Sequence, residues 1–368
     1  MIDRGNYALT HEFLDHQRAV KRLDCASVAR YRSYLKHLLL WADHVPYGQA
    51  NTIRPALGDY LLNLEGRDGN GLAQETLDKI TELTKRLLTW GKMHRQRLFR
   101  NLPAAWIDDL TPPRSDQSPR PRQAVTIDEM IRIARVAIAP DNLALRRDQA
   151  MLALLYTSGC RIGAAGSLPI QAIHLDNNTV DQFPELGVHT KNHKRGTTAM
   201  LHIPTLQEIM LDWDKLVRSQ LPPSALWLPP TPNTWGQLRL SDQPARQSRN
   251  SDLGQRVDLM QRLAGVRDLT PHAYRRGHVT YCLDRCQTPL DVKAMSLNLF
   301  HDDVSTTSKF YAPVETDDIR QRIVALSSRS PGPLPENMDW AAVAAILPGL
   351  SRADKLNLMH RLVDELAG

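Results

Sequence analysis

The sequence contains few cysteines and no long apolar run. Its four cysteines, in a chain of 368 residues, do not make the disulfide framework of a small secreted protein. No stretch approaches the ~20 consecutive apolar residues of a membrane span, and no basic segment followed by an apolar run opens the chain. We therefore expect a protein of the reducing cytoplasm, with no membrane partner.

The excess of positive charge is also small. Lys and Arg number 46 against 40 for Asp and Glu, which gives a formal net charge of +6. This balance permits a nucleic-acid partner but does not establish one. A chain of 368 residues is long enough for two or three domains, each with its own core.

Four stretches of different character divide the chain. Residues 1–98 carry apolar positions at spacings of three and four, which predict a helical domain. Residues 99–124 are rich in proline and arginine and predict a semi-extended linker. Residues 125–326 mix helical and strand patterns, and residues 327–368 form an extension with two short predicted helices. The fold class that we expect is mainly α with a small antiparallel β-sheet (α+β).

Basic residues follow the helical domain into the linker. The predicted helices pass through Phe13 and Val20 and run over 27–41, 52–64 and 74–97. A solvated helix surface and a plain tether are the simple interpretations of these charges, and contact with a DNA backbone is the functional one. The candidates for DNA contact are Lys85, Arg86, Lys92, Arg95, Arg97, Arg100, Arg114, Arg120 and Arg122.

The next domain begins with a capping box from Thr126 to Glu129. A buried helix is expected over 148–157, ended by Gly159 at the position that favours a left-handed residue. Arg161 starts the following segment. An arginine in such a place is usually a surface or capping residue when it stands alone.

A small sheet is expected over 173–204, in which residues 187–191 pair with residues 199–203. The turn between them carries Lys191, Lys194 and Arg195, and could place a lysine ammonium beside a substrate phosphate. Further on, His278, Cys282 and Cys286 recur at four-residue spacing on one helical face. We interpret these three as core positions and expect no metal or other cofactor.

The stretch from Thr270 to Arg275 predicts a helix start. Thr270 is suited to cap the free amides and Pro271 suits the first helical position. His272 and Arg275, three residues apart, are then expected to point together out of the first turns. Such a pair could grip one phosphate.

Taken together, these fragments resemble the tyrosine recombinase (phage integrase) family over roughly residues 10–326. The matching stretches are residues 156–162 (YTSGCRI), the turn of Lys191, residues 269–276 (LTPHAYRR) and residues 301–311. The resemblance assigns Arg161 and Arg275 as an arginine pair, Lys191 as the hairpin lysine, His272 and His301 as the histidines and Tyr311 as the nucleophile. Lys194 is the alternative to Lys191, and Lys194, Arg195 and Arg276 are further candidates for DNA contact.

The resemblance implies an enzyme that cleaves and rejoins DNA strands without a metal or ATP. Tyr311 would attack a phosphodiester and form a covalent 3′-phosphotyrosyl link, while two guanidinium groups stabilise the developing charge. It further implies a helical core-binding domain and a catalytic domain that clamp double-stranded DNA. A multimer, expected to be a tetramer, would assemble on paired sites. The protein would be associated with the nucleoid and encoded by a bacterium, a phage or a mobile element.

The sequence departs from the family pattern in three places. Ala164 stands where an acidic residue often supports the first arginine. Phe300 replaces a glycine before the second histidine, so a left-handed turn there would be strained, and Asn298 could take that conformation instead. His301 and Tyr311 are one residue further apart than is common.

Two other functions remain open at this point. A type IB topoisomerase has a closely related tyrosine site, and a noncatalytic DNA-binding relative would fit the departures at Ala164 and Phe300. The predicted helix over 351–366 has leucines on one stripe, which fits docking on a neighbouring protomer or packing on its own catalytic domain. The target sequence, and the choice between integration, excision, resolution and transposition, are not written in these motifs.

Overall fold

The computed structural model of the protein describes residues 2–66, 69–115, 123–234, 237–244, 249–300 and 316–331. The chain divides into two units, Met1–Pro121 and Arg122–Gly368. Each unit buries its own apolar cluster. Within the described ranges, no helix has the length and apolar character needed to cross a membrane.

The first unit is helical. Side chains of Asp3 and Asp24 cap the first two helices by accepting from the amides of Asn6 and Ser27. The apolar stripe predicted for the last long helix is buried, from Leu77 to Trp90. The helices are α1 (Arg4–Lys21), α2 (Cys25–Ala42), α3 (Leu57–Leu62), α4 (Gln74–His94) and α5 (Ala104–Asp108).

The single helix predicted over 52–64 is wrong. A 3-10 helix covers Tyr47–Thr52, and α3 begins only at Leu57. Pro55 explains the break, because proline lacks an amide donor and disfavours a helical conformation in the residue before it.

Residues 99–110, which the sequence placed in the linker, pack on the first unit. Phe99, Leu102 and Ile107 are buried in its core. Two lysines of α4 hold this segment from outside: Lys85 Nζ donates to the carbonyl oxygen of Asp108 at 2.5 Å, and Lys92 donates to that of Leu102. Apolar residues spaced widely among prolines give little periodic signal, so the sequence pattern did not reveal this packing.

Most of the second unit is also helical, and α7 lies at its centre. Every α7 residue from Arg147 to Ser158 is buried, and the helix contacts α6, α8, α9, α10 and α11. The predicted capping box is present, with Thr126 and Glu129 bonded reciprocally. The helices are α6 (Ile127–Ala134), α7 (Leu143–Ser158), α8 (Ile162–Ala165), α9 (Pro204–Gln220), α10 (Arg249–Leu263), α11 (Pro271–Leu283), α12 (Pro289–Asn298) and α13 (Thr316–Ser328).

A three-stranded antiparallel sheet lies against these helices, in the order β1 (Ile173–His174), β2 (Thr179–Gln182) and β3 (Gly196–Ala199). Its register pairs Thr179 with Ala199 and Gln182 with Gly196. The predicted partner strand over 187–191 is therefore wrong. Residues 183–195 form the β2–β3 connection, because a short 3-10 helix ends at Gly187 with φ +83° and turns the chain away from the sheet.

The proline-rich segment after α9 is anchored by tryptophans. Trp213 donates its indole N–H to the carbonyl of Trp227 at 2.8 Å, and the indole of Trp227 donates to Asp214 Oδ1 at 2.9 Å. A two-residue ladder follows, β4 (Asn233–Thr234) with β5 (Gln237–Leu238). The prediction of a mainly helical fold with a small antiparallel sheet is confirmed.

Candidate active site

Helix α11 places His272 and Arg275 in different environments. Pro271 is its first residue, as predicted, but the side chain of Thr270 makes no capping hydrogen bond. His272 is exposed, whereas only 6% of the Arg275 surface is accessible. The expectation that both side chains point outward together is therefore wrong. Arg275 turns inward because the following turns of α11 pack against α7.

The Arg275 guanidinium joins three distant segments. Its Nη1 donates to the carbonyl oxygen of Gly159 at 2.6 Å, and its Nη2 donates to that of Leu299 at 2.7 Å. Gly159 lies two residues before Arg161, and Leu299 lies two residues before His301. Arg275 thus brings together the ends of α7 and α12 beside the start of α11.

The turn before Arg161 depends on Gly159. This residue ends α7 with φ +61° and its amide donates to the carbonyl of Leu155, as the sequence predicted. A Cβ at this position would come within 2.6 Å of Leu299 and 2.9 Å of His278. Arg161 then occupies the N-cap position of α8 and is half-buried. Ala164, at the position of the missing acid, is buried.

His278 lies beneath this turn as a neutral core residue. Its Nδ1 donates to the carbonyl of Tyr156 at 2.9 Å, and its Nε2 is 3.7 Å from Cys282 Sγ. Burial, aided by the charge of Arg275, lowers the pKa of His278 to about 4. Cys286 is buried as well. With His278 and Cys282 also buried, the three positions lie in the core, as predicted. Among the described residues there is no cluster of side chains able to hold a metal ion.

The β2–β3 connection carries both candidate lysines. Lys191 is exposed, whereas Lys194 is half-buried and its Nζ donates to the carbonyl of Phe300 at 2.7 Å. Arg195 pairs with Glu185 at 2.6 Å and lies over the ring of Phe183. The connection therefore reaches the residue just before His301.

Phe300 has the left-handed conformation expected for the position of the missing glycine, with φ +52°. Asn298 does not take that role. It is the last residue of α12, and its side-chain amide bonds both backbone groups of Ala199. The sequence missed this function of Asn298, because a buried polar residue at a helix end carries no signature of its distant partner.

His301 and Tyr311 lie outside the residues that the structure describes, as do Arg120, Arg122 and the predicted helices within 338–366. The roles of His301 as second histidine and of Tyr311 as nucleophile therefore remain predictions from the sequence.

Several candidate DNA-contact residues already have intramolecular partners. Besides the two tethering lysines of α4, Arg86 donates to Tyr31 and Gln17, Arg95 pairs with Glu12, and Arg276 donates to the carbonyl of Gln123. Arg97, Arg100 and Arg114 are exposed.

A groove between α2 and α4 adds Arg30 and Lys79, which were not among the predicted DNA contacts, to the predicted Arg86. Its volume is about 460 Å³, and it is lined by Arg30, Lys79 and Arg86 together with Tyr31 and Tyr34. Glu75 and Glu82 also line it, so its charge is mixed. The signal that could have found it is the four-residue spacing between Arg30 and Tyr34, which places them on one face of α2.

Comparisons with known proteins extend over most of the chain. No protein-family model matches it. It is 24% identical over 322 residues to the tyrosine recombinase XerD of Vibrio vulnificus, an alignment that covers 87% of this chain and 95% of that protein. It is 23% identical over 297 residues to the tyrosine recombinase XerC of Neisseria meningitidis serogroup B, covering 80% of this chain and 86% of that one.

Among solved structures, a lambda integrase dimer bound to a COC′ core site has a similar fold. The TM-score is 0.53 at 10% sequence identity, over 84% of this chain and 80% of that chain. At this identity the likeness concerns the fold alone.

Proposed function

This chain belongs to the tyrosine recombinase family, and we propose that it cleaves and rejoins DNA at specific sites through a covalent phosphotyrosyl intermediate on Tyr311. One observation supports the proposal above others. Arg275 is bonded to the segment that leads into Arg161 and to the segment that leads into His301. A segment 116 residues before Arg275 and a segment 24 residues after it are thus bonded to one buried guanidinium.

The chemistry follows from the residue types. As the Tyr311 oxygen attacks phosphorus, negative charge grows on the nonbridging oxygens, and Arg161 and Arg275 stabilise it with charge-assisted hydrogen bonds. The two carbonyl bonds of Arg275 fix the plane of its guanidinium before DNA arrives, so little reorganisation is needed. His272, exposed beside it, accepts the tyrosine proton, because a phenol with a pKa of about 10 must lose its proton as it attacks.

The leaving group is a 5′ oxygen, which needs a proton as its bond to phosphorus breaks. A lysine of the β2–β3 connection supplies it, and His301 hydrogen-bonds the phosphate. The phosphotyrosyl link has the reactivity of the original phosphodiester, so a different 5′ hydroxyl can reseal the strand without ATP. These residues account for the reaction without a metal.

Assembly is part of the proposal. Rejoining a different 5′ hydroxyl requires two duplexes to be held together, which calls for several protomers, and we propose a tetramer on paired sites. The first unit would contact the DNA backbone through exposed Arg97, Arg100 and Arg114 and through the groove lined by Arg30 and Lys79. The protein would act in the cytoplasm, in association with the nucleoid.

The test uses a DNA duplex first recovered by selecting genomic fragments that the purified protein protects. A nick placed next to the cleavage position lets the short product diffuse away and traps the covalent complex. We expect a trapped complex with wild type and with the exposed control Tyr7→Phe, and none with Tyr311→Phe. A complex that persists in Tyr311→Phe would falsify the nucleophile. Relaxation of supercoiled DNA by single protomers, without recombinant products, would point to a topoisomerase instead.

A further inference from the structure

The two lysines of the β2–β3 connection are in different situations. Lys194 is half-buried, and its Nζ donates to the carbonyl of Phe300 at 2.7 Å. Lys191 is exposed. Between them the chain turns through positive φ at Asn192 (+58°) and His193 (+52°). Two successive left-handed residues thus stand between the two lysines, which are only three positions apart.

A second contact, made by Asn298, links the end of α12 to β3, just after the β2–β3 connection. Its Oδ1 accepts from the amide of Ala199 at 2.7 Å, and its Nδ2 donates to the carbonyl of Ala199 at 3.0 Å. This reciprocal pair places a side-chain amide on the open edge of β3, as a neighbouring strand would. It fixes the end of β3 to the end of α12.

The ring of Phe300 packs against the start of β3. A Cβ on Gly196, at the start of β3, would come within 2.5 Å of that ring. Arg275 bonds the carbonyl of Leu299 in between. Residues 298, 299 and 300 are therefore held one after another by β3, by α11 and by the β2–β3 connection, immediately before His301.

From this arrangement, and resting on the proposed function with Lys191 as the proton-donating lysine that the resemblance assigns, we propose that Lys194 is a positioning residue. Lys194 holds the carbonyl of Phe300 so that the chain enters His301 from one fixed point beside Arg275. In the reaction, the bond from Tyr311 oxygen to phosphorus forms as the bond from phosphorus to the 5′ oxygen breaks. The tyrosine proton passes to His272, and a proton of the Lys191 ammonium passes to the 5′ oxygen.

A change of leaving group separates the two roles. In a duplex with sulfur in place of the bridging 5′ oxygen, the leaving thiolate needs no proton donor. Cleavage of the oxygen duplex by Lys191→Met is expected to fall by about a hundredfold or more, as for loss of a general acid, and to recover on the sulfur duplex. Lys194→Met is expected to lose about tenfold to a hundredfold on both duplexes, because misplacement is not corrected by a better leaving group.

Matched variants complete the design. Lys215→Met changes an exposed lysine of α9 and should cleave both duplexes as wild type does. Lys194→Arg keeps a cationic donor near Phe300 and should recover most of the lost rate. Recovery of Lys194→Met on the sulfur duplex, or failure of Lys191→Met to recover there, would overturn the assignment.

Hydrogen exchange supplies a measurement that needs no DNA. In Lys194→Met and in Asn298→Ala, amides of residues 296–300 should exchange faster than in wild type and in Lys215→Met. Unchanged exchange in Lys194→Met would overturn its positioning role. If wild type forms no covalent complex on any duplex, the proposed function fails, and this exchange result still decides whether Lys194 holds the segment.

Discussion

The guanidinium of Arg275 donates at 2.6 Å to the carbonyl oxygen of Gly159, which lies 116 residues earlier in the chain. Its second acceptor, the carbonyl of Leu299, is 24 residues later. Both of these acceptors are backbone carbonyls, so the two bonds orient the guanidinium. The residue is at once a structural link and a preorganised cation.

Replacing Arg275 tests the structural half of this role. Arg275→Met leaves two buried carbonyls without their donor, and we expect the free energy of unfolding to fall by about 2–5 kcal/mol. Arg276→Met, which removes the surface bond to Gln123, should cost about 1 kcal/mol or less. Urea unfolding of both variants measures the difference, and equal losses would contradict the structural link.

Two glycines provide a contrast in backbone conformation. Gly159→Ala places a Cβ at φ +61° and within 2.6 Å of Leu299, so we expect a loss of about 2–4 kcal/mol in unfolding free energy. Gly254→Ala, in helix α10 with open space around it, should gain about 0.5–1 kcal/mol, because alanine favours a helix over glycine. Thermal unfolding that ranks the two variants in the opposite order would refute the account of the α7 turn.

The buried His278 predicts a pH dependence of stability. Its folded pKa of about 4 is below the ordinary 6.5, so only the unfolded state takes up the proton between these values. Stability is therefore unaffected by this histidine above pH 6.5. As the pH falls towards 4, the free energy of unfolding decreases, and the loss reaches about 3 kcal/mol. Unfolding measured from pH 7 to pH 4 should show a shallower decline for His278→Gln, and an unchanged one for the exposed His202→Gln.

The contact between Gly196 and Phe300 predicts a coupling. Gly196→Ala forces a Cβ against the phenyl ring and should cost about 1–3 kcal/mol. In the Phe300→Gly background the ring is absent and φ +52° is unstrained, so the same change should cost less than about 0.5 kcal/mol. A double-mutant cycle gives the difference. Additive costs would show that the two residues do not meet.

The local parts of the fold were predictable from sequence. Capping at Thr126 and the left-handed Gly159 depend on neighbouring residues. For the left-handed residue before His301 the sequence left two candidates, Phe300 and Asn298, and the structure has it at Phe300. Strand pairing was not predictable in the same way, because the choice between residues 179–182 and 187–191 as partner of β3 depends on the chain beyond the hairpin. The local sequence of either range is compatible with a strand.

The burial of Arg275 also could not be predicted from the sequence. Spacing placed it on one face with His272, but the acceptors that draw it inward are backbone carbonyls, which every residue has. The same holds for Lys85 and Lys92, whose partners are the carbonyls of Asp108 and Leu102. A bond from a basic side chain to a backbone carbonyl leaves no signature in the sequence, because every residue carries that acceptor.

The pairing of Asn298 with Ala199 has a consequence for the order of folding. The two residues are 99 positions apart, so during synthesis β3 is made long before the side chain that covers its edge. Until α12 emerges, that edge is open to other strands, which is a route to misassembly. The Asn298 side chain thus covers the edge of a β2–β3 hairpin that is synthesised well before it. Slowed translation between Ala199 and Asn298 should increase aggregation of the nascent chain.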